Sequence, residues 1–183
     1  MNIILKEITI EDLEEYEFWK LPQHEYHQLN GPYFKKDSIS EIKNQIRQLR
    51  VKFKDGIKNP LPLKKLIVNE KDQLIGEVSS YWKSKETNWM EIGIVIFNKA
   101  NRGLGIGENA FRLWIDDVFK SNPTFVRLGI STWSGNMGMI KLAVKMGMIK
   151  EAEYRKARIV NGEYFDSVSY GILKTEWQIQ KID

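Results

Sequence analysis

The sequence predicts an α/β fold of the α+β kind, a mixed central sheet with helices on its faces. Three observations carry this. Short β-branched runs and amphipathic segments follow one another in the order β α α β β β α β α β β, which gives about seven strands and four helices. The stretch from Trp89 to Phe119 joins an apolar run, a glycine-rich bend and a helical segment. The last two strand-like runs are joined by Asn161-Gly162, the preferred type I′ hairpin loop. With 183 residues and no linker-like segment, the chain reads as one domain, 1–183, able to bury roughly 70% of its unfolded surface.

Taken in order, Ile3–Lys6 reads as a first strand. Thr9-Ile10-Glu11-Asp12 has the pattern of a capping box, with Thr9 capping a helix that carries Leu13, Tyr16 and Trp19. Residues 21–36 form a loop dense in aromatics. His24 and His27 stand three apart in it, but no third ligand lies nearby, so the loop reads as substrate-facing or as packing, with no metal site. Ser38-Ile39-Ser40-Glu41 is a second capping box, and Ile39, Ile42, Ile46 and Leu49 mark one face of the helix behind it. Breakers from Lys54 to Pro62 precede a hairpin of Leu66–Val68 and Leu74–Trp82. Ile92–Phe97 is short and apolar enough for a buried central strand. Beyond the glycine bend, Ile106, Ala110, Leu113, Trp114 and Val118 recur at helical spacing, with Glu108, Arg112, Asp116 and Lys120 between them. Phe125–Thr132 alternates, with Val126, Leu128 and Ile130 opposite Arg127 and Gly129. A helix bearing Met139, Ile140, Ala143 and Val144 follows, and Gly147 sits where a left-handed cap belongs. Glu153–Val160 and Glu163–Leu173 form the closing hairpin.

Composition narrows the function classes. No apolar run approaches the ~20 residues of a membrane span, and the start, MNIILKEITIEDLEE, turns acidic too soon for a secretory signal. With no cysteine, disulfides, thiolate metal sites and a cysteine nucleophile are excluded. These features point to the cytoplasm. The net charge of +4 is spread along the chain among acids, so it reads as a mixed solvated surface with no nucleic-acid partner. A mild positive bias still favours a polyanionic ligand.

The bend Arg102-Gly103-Leu104-Gly105-Ile106-Gly107 is built to meet such a ligand. The first amides of a helix lack intrahelical partners, and the helix dipole adds positive charge there. Glycines remove side chains that would hold a phosphate away, and Arg102 adds a fixed cation. The Walker pattern fails, because Glu108 and Asn109 stand where Lys and Ser or Thr belong. The dinucleotide pattern fails too, because Glu108 takes its third glycine position. What remains, Arg102-x-x-Gly105-x-Gly107, resembles the pyrophosphate loop Gln/Arg-x-x-Gly-x-Gly/Ala of the GNAT acetyltransferase superfamily. The element order resembles that family along nearly the whole chain. So does the segment 136–148, in which Asn136, Leu142, Lys145 and Gly147 match the family pattern Asn-x-x-Ser/Ala-x-x-Leu-Tyr-x-Lys-x-Gly-Phe. The tail, Gly162–Ser167, Tyr170–Leu173 and Glu176-Trp177, looks like the RimJ/RimL-like branch.

The resemblance implies a GNAT fold and an acetyl-coenzyme A-dependent N-acetyltransferase. Acetyl would pass directly to a primary amine, either a small molecule or a protein N-terminus, in a monomer or homodimer. It implies a pyrophosphate held by the backbone of Gly103, Leu104, Gly105, Ile106 and Gly107 with Arg102. It implies a thioester arm lying as a pseudo-strand beside Val95, Ile96 and Phe97, with Asn136 as a hydrogen-bond partner or a plain helix cap. Glu91, at the start of the central strand and sharing a face with Gly93 and Val95, is the candidate base. Its alternative is a salt bridge or an exposed strand-end carboxylate. The family's Tyr acid is Ala143 here and the branch's Ser is Met139, leaving only Ser134 and Tyr154 as loose substitutes. That gap keeps a non-catalytic coenzyme A-binding module as the second reading. Tyr16, Trp19, Tyr26, Tyr33 and Phe34 either shape the acceptor pocket or pack the core.

Overall fold

The computed structural model describes residues 2–179. Seven strands form one sheet in the order β1-β2-β3-β4-β5-β7-β6. They are β1 (Ile3–Lys6), β2 (Lys64–Asn69), β3 (Leu74–Ser84), β4 (Trp89–Ile96), β5 (Arg127–Trp133), β6 (Ile149–Val160) and β7 (Glu163–Leu173). The helices are α1 (Leu13–Lys20), α2 (Ile39–Lys54), α3 (Ile106–Ser121), α4 (Met137–Lys145) and α5 (Lys174–Ile179). The last of these follows β7 without a break and has no counterpart in the sequence expectation of about four helices.

Helices cover both faces. On one face α3 lays Ile106, Ala110, Phe111, Trp114, Ile115, Val118 and Phe119 against Ile92, Leu128 and Ile130. Each large side chain buried this way contributes about 1.5–3 kcal/mol. Leu113, expected on the buried stripe, is exposed. The apolar arc is centred instead on Phe111 and Ile115, which the sequence reading left out. On the other face α1 and α2 pack Leu13, Tyr16, Ile46 and Leu49 against Leu66, Val68, Leu74 and Phe97. The Ser38 capping box forms in full, with Ser38 and Glu41 each satisfying the other's backbone N–H. The Thr9 box forms only in part. The Asp12 carboxylate accepts from the Thr9 backbone N–H at 2.7 Å, but Asp12 itself is the N-cap and the helix starts at Leu13.

Two irregularities shape the centre of the sheet. Between β2 and β3 the register slips by one residue, from Ile67↔Gly76 to Val68↔Leu74. Only glycine fits at 76, because a Cβ there would lie 2.1 Å from the Val95 carbonyl oxygen. The extra residue reverses the alternation of β3 and turns Glu77 toward α1, beside Leu66 and Val95. The second irregularity lies between β4 and β5, the one parallel pair. They meet at a single register position, Glu91↔Gly129, while β4 stays paired with β3 as far as Ile96. From Ile92 to Ile96 the β5-facing edge of β4 is therefore left open, and two clefts lie along it.

Candidate active site

The first cleft, about 390 Å³, runs along the open edge of β4 to the start of α3. Val95, Ile96, Arg102, Gly103, Gly105, Gly107 and Asn136, all named from the sequence, line it. Gly103 and Gly105 have φ of +76° and +77°, a left-handed bend that a side chain would strain. Gly105 caps α3 and brings no side chain to compete for its amides. Among the described residues, the N–H groups of residues 103–108 have no acceptor within the protein. Six donors at the positive end of a helix, unused by the fold, suit a diphosphate.

Arg102 lies against the end of β4, donating weakly to the Ile96 carbonyl through Nε at 3.4 Å and Nη2 at 3.3 Å. Lys141 and Lys145 reach the same cleft from one face of α4, and Lys145 also bonds Glu108 at 2.9 Å. The sequence reading missed both lysines as site residues, although their i, i+4 spacing puts them on one helix face. Asn136 caps α4, accepting from the Met139 N–H at 3.2 Å. Its amide also donates to the Leu29 carbonyl at 3.2 Å, tying the 21–36 loop to the cleft.

Three expected residues stand elsewhere. The Phe97 N–H is taken by the Ile75 carbonyl at 3.0 Å, and its ring is buried 5.5 Å from the Trp19 ring. It lines neither cleft. Ile106 is fully buried in the α3 core, so only its amide is free. The Leu104 side chain points to solvent, again leaving only its backbone at the bend.

The second cleft, about 430 Å³, opens on the α1 side of the sheet under the 29–37 loop. It meets the first at Ile94, Val95, Asn136 and Met139. Tyr33 and Phe34 line it. Tyr16 and Trp19, both on α1, pack into the core beside Phe97, and Tyr26 is buried with its hydroxyl on the Trp19 carbonyl at 2.8 Å. His24 and His27 are spent on the Phe18 and Leu21 carbonyls, at 2.6 and 3.1 Å. Among the described residues no group of three or more metal-binding side chains comes together.

Glu91 lies just behind this cleft. It is 2% exposed, and its carboxylate accepts from the Tyr81 hydroxyl and, at 2.8 Å, from Ser131 Oγ. Lys83 Nζ approaches to 3.9 Å. Tyr81 and Ser131 line the cleft and Glu91 does not. Burial, with Glu91 beside it, pushes the Tyr81 phenol well up, so it stays a donor. The sequence reading missed this hydroxyl pair, because parity along β4 says nothing about what stands across from it. Ser134 and Tyr154 line neither cleft. Ser134 is bonded to the Asp166 backbone, and Tyr154 is exposed on β6.

A charged cluster faces the same space. Glu77 accepts from Tyr16 at 2.9 Å, from Lys64 at 3.0 Å and from Lys20 at 3.3 Å. Burial alone would raise its carboxyl, but the two ammoniums outweigh that and hold it at about 2. Burial pushes Lys64 down. The one sequence signal for this cluster was a lone carboxylate inside an apolar strand.

The comparisons agree with this geometry. The profile of the family described as "Acetyltransferase (GNAT) domain" matches residues 2–149. The structure is similar to one described as "Probable acetyltransferase", at 25% identity over 96% of this chain and 93% of the other, with a TM-score of 0.69. It is similar in fold to a GNAT-family acetyltransferase from Bacillus anthracis, at 17% identity over 96% and 97% of the chains, with a TM-score of 0.73. It is similar in fold, too, to spermidine N-acetyltransferase from Vibrio cholerae in complex with CoA and spermine, at 14% identity over 96% and 98%, with a TM-score of 0.74. No curated protein matches the chain significantly. Among the described residues no helix is long and apolar enough to cross a membrane. With the family profile covering most of its length and the sheet, open strand edge and amide-lined bend in place, the chain belongs to the GNAT acetyltransferase family and is an acetyltransferase of that family.

Proposed function

We propose that the chain, read as one domain over residues 1–183, transfers acetyl from acetyl-coenzyme A to a primary amine by direct attack. The observation that carries the reading is the run of six unused amides at residues 103–108, opening onto the bare edge of β4. Bound there, the cofactor would supply an acetyl thioester. The amides and Arg102 would grip its diphosphate, with Lys141 and Lys145 adding charge. The open edge at Ile94–Ile96 offers backbone groups to its arm.

The acceptor enters by the second cleft, and its ammonium must lose a proton before it can attack. Glu91 is the base, acting through Ser131. The ammonium gives its proton to Ser131 Oγ while the Ser131 hydroxyl hydrogen passes to Glu91 Oε1, and Tyr81 holds the other carboxylate oxygen. The RimJ/RimL-like assignment rests on the resemblance of residues 162–177, and a cytoplasmic setting on composition.

Calorimetric titration with acetyl-coenzyme A, followed by thiol release with a panel of primary amines, tests the reading. Glu91→Gln is expected to lower turnover roughly 10²–10⁴-fold with cofactor affinity unchanged. Absence of cofactor heat, or unchanged turnover in that variant at every pH, would sink it.

A further inference from the structure

The charge balance of the second cleft bears on the acceptor. Glu77 is one buried carboxylate shared by two ammoniums, so the cluster carries one positive charge in excess. Burial makes uncompensated charge expensive. Lys20 and Glu77 both line the cleft. At its rim stand Lys35 and Lys36, which make no ion pair among the described residues, and Asp37, whose carboxylate accepts from Gln45 at 3.0 Å. Asp37 keeps its charge at the exposed rim, but the lining ammoniums Lys20, Lys35 and Lys36 outnumber the lining carboxylates Asp37 and Glu77. A polycation entering here would meet net positive charge, whereas an anion would complete the cluster.

Position sharpens this. Glu77 sits across from Val95, where the two clefts meet, and Ser79 sits across from Gly93. The strands β4 and β5 run parallel from Glu91↔Gly129, which puts Ser131 about level with Gly93. From Ser131 to Glu77 is two residues along the strand, about 7 Å, and two strand spacings across β4, about 10 Å, so the two positions lie about 12 Å apart. The bulge at Gly76 gives Glu77 this position, since an unbroken alternation would turn it into the α3 core.

Resting on the acetyl-transfer reading above, the geometry points to an acceptor that carries an anionic group, a carboxylate or phosphate, about 12 Å from its primary amine, with Lys20 receiving the anion and Ser131 the amine. Polyamines are not its substrates. Long ω-amino acids and short peptides with a free carboxylate reach this spacing.

The test uses acceptors that differ only in charge. Thiol release is measured with 10-aminodecanoate and with 10-aminodecanamide, whose amines have nearly the same basicity, and with glycine, 4-aminobutyrate and spermidine. The carboxylate should be preferred over its amide by about 10- to 100-fold in kcat/KM, the range of a hydrogen bond to a charged group. Within the amino-acid series the optimum should fall at the longer members. In Lys20→Met the carboxylate-to-amide ratio should collapse toward one. If that variant does not fold, the ratio and the length series in the unaltered protein decide. A ratio at or below one, or spermidine as the best acceptor, overturns this inference and leaves acetyl transfer standing. Cofactor binding without turnover of any amine overturns both.

Discussion

Gly107→Leu separates the binding role of the α3 start from its role in the fold. Gly107 is the second residue of α3, has an ordinary helical backbone and lines the first cleft. The one atom outside its helix within 4 Å of a Cβ placed there is Ile96 Cγ1, at an unstrained 3.8 Å. A side chain at 107 is therefore tolerated by the fold, and replacing glycine in a helix contributes roughly 0.5–1 kcal/mol. The melting temperature should hold or rise by a few degrees. Binding should move the other way. A leucine directed at Ile96 fills the space in front of the amides of 107 and 108. Each charge-assisted hydrogen bond lost is worth about 1.5–3 kcal/mol. Two of them amount to about 3–6 kcal/mol, or roughly 10²- to 10⁴-fold in Kd for coenzyme A. Thermal melts and calorimetry on the same preparation read both quantities. A Kd within threefold of the parent, in a variant that melts normally, would refute the assignment of these amides to the diphosphate.

Ser131→Ala should reduce kcat nearly as far as Glu91→Gln, with little change in coenzyme A affinity, when followed by thiol release; full activity would remove Ser131 from the proton path. Glu77→Gln leaves two ammoniums without their carboxylate and should destabilise by about 3–5 kcal/mol, a drop in melting temperature of roughly 6–20 °C. Because folding lowers the Glu77 pKa from 4.5 to about 2, its contribution is complete above pH 4.5 and is lost as pH falls through about 2. Melts of parent and variant should therefore converge across that window, and a gap that persists at the acid end would exclude the ion pairs as its cause. Asn136→Ala removes the α4 cap and the bond to Leu29 and should cost about 1 kcal/mol in stability, measured by urea titration, with weaker coenzyme A binding as the 21–36 loop loosens.

Local chemistry was legible wherever one residue type answers one backbone need. Asn161 and Gly162 adopt φ of +52° and +83°, the conformations a type I′ loop demands, and Gly147 takes φ of +72° at the end of α4. Ser38 and Glu41 close their capping box because both partners lie on the first turn. The glycine bend was legible for the same reason, since the left-handed φ of Gly103 and Gly105 is written in missing side chains. Elements set by tertiary packing were harder to read. Thr9 lost the cap to Asp12, Leu113 lost its place to Phe111 and Ile115, and α5 is too short to show a period.

The acceptor side was illegible for a different reason. Its parts come from strands distant in sequence, and their juxtaposition depends on the sheet order and on one inserted residue. Ser131 reaches Glu91 only because β5 runs parallel to β4 and meets it at Gly129. Glu77 reaches the cleft only because the register slips at Gly76, where the Val95 carbonyl leaves no room for a Cβ. The same open edge that separates β4 from β5 joins the two clefts at Val95 and Met139. A methionine thioether donates no proton, so the meeting point supplies no acid for a leaving thiolate, and Ser134 and Tyr154 are too remote to provide one. In the proposed reaction the groups that handle protons are thus all on the amine side. Catalytic demand falls on deprotonating the acceptor, which a positively charged cleft assists by favouring the neutral amine.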